Sequence, residues 1–128
     1  MKPGSARYLN SAERKLIDAD GIGSAGFIEV AAREGYLAAL SAARAVIFEK
    51  TGKIAKTHVG VRTVFLRLVH EGMAFDVKLA EFLADGFELK TTVDYGDRTE
   101  ISPRSAADAL VTARAFVAAA RAVVAGER

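Results

Sequence analysis

The chain has no cysteine and no tryptophan, two prolines, two histidines and little net charge: 18 Lys and Arg against 16 Asp and Glu leave +2 over 128 residues. Each scarcity removes something. Without cysteine there is no disulfide scaffold and no thiolate-held zinc or iron–sulfur centre, which fits a reducing compartment. Balanced charge excludes a general nucleic-acid coat, so any nucleic-acid contact must come from a local patch. No window reaches the roughly 18 uncharged apolar residues that a membrane span needs. The opening MKPGSARYLNSAERK has no apolar signal core. A cytoplasmic protein without membrane contact is the expectation.

Catalytic motifs are scarce as well. HExxH, the GxSxG elbow, the phosphate-binding GxxxxGK and the Glu-x-x-His pairs of a di-iron bundle are all missing. His58 and His70 lie twelve residues apart, which is no ligand motif. The sequence therefore predicts no metal and no cofactor. Any chemistry falls to His, Lys, Arg, Asp, Tyr or a hydroxyl.

What the chain has in quantity is alanine, 25 residues of it. Alanine is the best helix former and lets helices pack closely. Residues 1–9 read as a loose lead-in. Asn10 with Glu13 spells a capping box for a helix reaching about Asp20. Gly21, Gly23 and Gly26 spell GxGxxG, but a charged helical segment precedes them instead of a strand, so they read as helix stop and turn, with Ser24 capping the next helix.

That second helix runs from about Ser24 to Lys50, with Phe27, Val30, Ala31, Tyr36, Leu37, Leu40, Ala43, Ile47 and Phe48 at three- and four-residue spacings. A third spans about Thr57 to Glu71, with Val61, Val64, Phe65, Leu68 and Val69 as its stripe. A fourth starts at the Asp76 cap and fades at Val93 to Tyr95. Ser102-Pro103 opens a fifth, alanine-rich helix. No strand is credible. The fold class is all-α: one domain over 1–128, an up-and-down antiparallel bundle of about five helices.

One segment stands out electrically. Lys50 to His70 holds five Lys or Arg and no carboxylate. His58 and Arg62 are i, i+4 within it and share a helix face, with Lys56 just ahead. Together they could hold a phosphate; equally, they could be a solvated edge, with Thr57 capping the helix and His58 meeting a loop carbonyl.

Three blocks in order then carry a resemblance. YLAALSAARAVI, Tyr36 to Ile47, is similar to the second-helix signature of HEPN domains, commonly written YYAMFHAARALL. KTHVGVRTVF resembles that family's KTH-x-G-x-x-x-x-F stretch through Lys56, Thr57, His58, Gly60 and Phe65. FELKTTVDYGD resembles the end of its fourth helix through Asp94 and Tyr95.

The resemblance, covering about residues 25 to 125, implies a bundle of four to five helices, commonly a homodimer. Active members are metal-independent ribonucleases, many of them toxins paired with a minimal nucleotidyltransferase antitoxin. Their Arg-x(4–6)-His motif lies at the dimer interface, where Arg holds the phosphate and His serves in acid–base cleavage.

This chain departs from that pattern. No Arg stands five to seven residues before either histidine, and Lys53 ahead of His58 is the nearest imitation. Lys90 replaces the fourth-helix Arg, and Ser41 replaces a second-helix His. The catalytic candidates are His58, Lys90, Asp94 and Tyr95, and the placement of Lys56 and Arg62 around His58 makes them the phosphate-ligand candidates. Two functions follow: the RNA-acting toxin of such a pair, or a non-catalytic helical module that binds a partner protein or a nucleotide. Arg44, mid-helix among alanines, is expected to pair with a carboxylate from another helix. Lys90 and Asp94 read plainly as an intrahelical ion pair, and Tyr36 as a packed aromatic with a tethered hydroxyl.

Overall fold

The computed structural model describes residues 1–126, and among them the protein is all-helical, as the alanine content and the apolar stripes predict. The helices are α1 (Pro3–Ser24), α2 (Ile28–Thr51), α3 (His58–His70), α4 (Val77–Ala80), α5 (Phe82–Tyr95) and α6 (Pro103–Val124). A 3-10 turn, Arg98–Glu100, lies between α5 and α6.

Capping follows the sequence for the later helices. Thr57 accepts from the Gly60 N–H, Asp76 from Lys78 and Leu79, and Ser102 from Ser105, with Pro103 at the first helical position. The fourth predicted helix is broken at Glu81 into the single turn α4 and the longer α5.

The first helix differs from expectation at both ends. Residues 3–9 are not a lead-in. Pro3 supplies a pre-set φ at the helix start, and Ser5 and Leu9 are buried, so tertiary packing recruits this turn. Asn10 and Glu13 are therefore interior, not a capping box. Gly21 and Gly23 stay helical, and the chain reverses at Ala25–Phe27, where Gly26 takes φ +97°. Ser24 ends α1 instead of capping α2, and Phe27, placed inward by periodicity, is 52% exposed.

α2 is the central element. Ala31, Ala32, Tyr36, Ala38, Ala39, Leu40, Ala42, Ala43, Ala45, Val46 and Ile47 are all buried on it. α1 lies antiparallel to it: the Lys2 N–H donates to Glu49 at one end, and Ile22 and Ile28 pack into one small cluster at the other. α5 is antiparallel to α2 as well, with Tyr36 against Phe82 and Phe87 and Arg33 against Asp94. Arg121 pairs with Glu13 and Arg114 with Asp20, so α6 is antiparallel to α1 and parallel to α2. Phe65 of α3, Phe75 and Phe116 of α6 join at centroid distances of 4.9–5.4 Å. That aromatic knot ties α3 and the loop after it to α6.

The course of the chain between α2 and α3 positions the site. Gly52 ends α2, and residues 52–57 run back along it. Arg44 donates to the carbonyls of Ala55 and Lys56, each at 3.0 Å. The expected interhelical carboxylate is thus not its partner. The returning loop offers its carbonyls where a cation of α2 is available, and it delivers His58 to Tyr36, at the middle of α2.

Candidate functional site

His58 is the first residue of α3 and Thr57 its cap. Its Nδ1 lies 2.9 Å from the Tyr36 hydroxyl. The two rings stack at 5.8 Å and 14°, and Phe87 covers the imidazole at 5.0 Å. The predicted loop carbonyl is therefore replaced by a phenol from α2. Nε2 has no hydrogen-bond partner among the described residues, yet it is not enclosed. It is the open end of a ring otherwise fixed on three sides.

The charges around this ring are positive. Burial, then Lys90 and Arg44, push the His58 pKa below its ordinary 6.5. Burial also raises the Tyr36 hydroxyl to about 12, against the opposing pull of Arg44 and Arg62. The phenol thus keeps its proton at any physiological pH. The amino end of α3 adds positive potential at the same place.

The remaining candidates fall into two groups. Arg62, half-buried on the second turn of α3, and Lys56, exposed at its approach, have no carboxylate partner among the described residues. Lys90 and Asp94 are already engaged: the carboxylate accepts from Lys90 at 2.6 Å and from Arg33 of α2 at 2.6 Å. These bonds, that to Lys90 first, hold the Asp94 carboxyl below the usual carboxylate range. The predicted i, i+4 pair forms within α5, and Arg33 extends it into a bridge to α2 that no local spacing announces.

Tyr95 is 84% exposed, its ring 6.0 Å from the Lys90 ammonium. Lys90 thus links the two parts of the site: it acts on the His58 charge and bonds Asp94. His70 ends α3 and is exposed, at the opposite end of the helix from His58.

The site should be visible in the pH dependence of stability. A histidine whose folded pKa is depressed favours the folded state above the unfolded pKa, and that contribution is lost as pH falls through the folded value. Melting temperature is therefore expected to drop as the pH falls below about 6.5. A His58→Gln variant, which cannot titrate, should show a flatter profile in that window. An unchanged slope would assign it to other groups.

A family model for the HEPN domain matches residues 5–123, nearly the whole chain. No curated protein matches it.

Proposed function

The chain belongs to the HEPN family, and from that premise we propose that it is the RNA-acting, toxin-like member of a toxin–antitoxin pair whose partner is a minimal nucleotidyltransferase. The observation that carries this reading is the open Nε2 of His58, with Arg62 one turn along the same helix and Lys56 just ahead of it in the chain, two cations without a carboxylate partner among the described residues. An RNA phosphate supplies the missing charge, and a helix amino terminus favours its approach. The same chemistry is consistent with a homodimer in which two such patches face one strand.

A second reading, a non-catalytic module that binds a partner protein or a nucleotide, has its own support. Lys90 and Asp94 are spent on a structural bridge with Arg33, and the Arg-x(4–6)-His motif is missing. Expression in a bacterium with and without a neighbouring nucleotidyltransferase, followed by growth and RNA integrity, separates the two. Damage to RNA that the partner relieves supports the toxin; RNA binding without damage supports the module.

Within either reading, His58→Ala and Arg62→Ala should each weaken RNA or nucleotide binding about tenfold, the loss of one charge-assisted contact. His70→Ala should leave binding and melting temperature unchanged. Loss of binding in a folded His70→Ala protein alone would move the site to the other end of α3.

A further inference from the structure

We propose that Tyr36 is a positioning residue that fixes the tautomer of His58, so that the imidazole meets its ligand as a neutral Nε2–H donor and not as a base. The geometry supplies the reasons. The Tyr36 oxygen is 2.9 Å from Nδ1, a hydrogen-bond distance, and one of the two atoms must donate. A phenol is the better donor of the pair and a neutral imidazole nitrogen the better acceptor. Tyr36 is 1% exposed, so no water competes for its proton. With the proton of Tyr36 directed at Nδ1, the ring proton sits on Nε2. That nitrogen is the one left without a protein partner.

The rest of the pocket keeps this arrangement. The stack on Tyr36 and the contact with Phe87 prevent the ring from turning over to exchange its nitrogens. Gly86 allows the close fit: a Cβ there would lie 2.5 Å from Tyr36 Cδ1. The charged groups facing His58 are Lys90 from α5 and Arg44 from α2, and both disfavour a second proton on the ring. Asp94, the acid that bonds Lys90, is also held by Arg33.

The chemical consequence is specific. A neutral imidazole with hydrogen on Nε2 donates to a phosphoryl or carbonyl oxygen, and cannot accept a proton from a ribose hydroxyl at that atom. Charge neutralisation then falls to Arg62 and Lys56, and His58 contributes direction. Ligand binding at this site should therefore not rise as the pH is lowered from 8 toward 6.5, as it would if an imidazolium were the ligand. The statement about the ligand rests on the function proposed above; the statement about the tautomer does not.

The test is two-bond nitrogen–proton correlation NMR on nitrogen-labelled protein at about pH 7.5, with exposed His70 as the internal reference. His58 is expected to show a single Nε2–H tautomer. Tyr36→Phe keeps the ring stack and removes the hydroxyl, and His58 should then move toward a tautomer mixture. The same variant should bind a short single-stranded RNA roughly fivefold more weakly, the loss of one net hydrogen bond's worth of ordering.

An Nδ1–H tautomer in the unmodified protein overturns the proposal, as does a mixed spectrum that Tyr36→Phe leaves unchanged. Should Tyr36→Phe fail to fold, the spectrum of the unmodified protein decides alone. An Nε2–H tautomer in a protein that binds no RNA sustains the positioning role and rejects the RNA reading.

Discussion

Phe116→Ala is expected to destabilise the protein by about 3–5 kcal/mol, the range for removing a buried aromatic from a packed core. Phe116 is fully buried on α6 and touches both Phe65 and Phe75, at 5.4 and 5.0 Å between centroids. The truncation leaves a cavity that neither neighbour can fill without leaving the other. Since a domain of this size holds roughly 5–15 kcal/mol in total, the loss is a large part of its stability. Chemical denaturation measures it. A cost below about 1 kcal/mol would mean that α3 and α6 are not joined by this knot.

Arg44→Ala is expected to damage fold and site together. Its guanidinium holds the Ala55 and Lys56 carbonyls, and so bonds the far part of the returning loop to the middle of α2. Hydrogen bonds from a charged donor contribute more than neutral ones, and half-exposure reduces that again, so the cost should be about 2 kcal/mol. The larger effect is on geometry. The loop that delivers Lys56, Thr57 and His58 loses its anchor, and RNA or nucleotide binding should fall at least as far as in His58→Ala. Arg44→Lys should not restore it, because a single ammonium cannot span two carbonyls as the planar fork does. Stability and binding measured on both variants check this; full rescue by lysine would show that charge alone matters.

Much of the architecture is legible in the chain because it depends on local rules. The stripes through Tyr36, Leu40 and Ile47, through Val61, Phe65 and Val69, and through Leu110, Phe116 and Val117 are helical repeats, and all nine residues are buried. Thr57, Asp76 and Ser102 cap where their side-chain chemistry says they should. The beginning of α1 was hidden because Lys2 offers no capping oxygen, and packing of Ser5 and Leu9 decides the matter. Gly21 and Gly23 stay helical at a propensity cost of roughly 1 kcal/mol each, again under tertiary control.

The site divides the same way. His58 and Arg62 share a face by simple i, i+4 arithmetic, and Lys90 with Asp94 likewise. The contacts that give these residues their character cross long stretches of chain: Tyr36 to His58 spans 22 residues and Arg33 to Asp94 spans 61. Neither distance has a periodic signature. Arg44 follows the same rule: a half-buried cation needs a partner, but the path of the loop that supplies it is invisible to periodicity.

The pairing of α6 with α1 reaches further across the chain than any of these. Arg121 meets Glu13 over a separation of 108 residues, and Arg114 meets Asp20 over 94. On a ribosome, every residue of the candidate site is made before α6 exists. The seats for Phe65 and Phe75 nevertheless stay open until Phe116 arrives, and closing so long a loop carries an entropic charge that early contacts cannot repay. The core is therefore completed only after the site's residues have been made, and until then a nascent chain carries them without a finished scaffold to hold them.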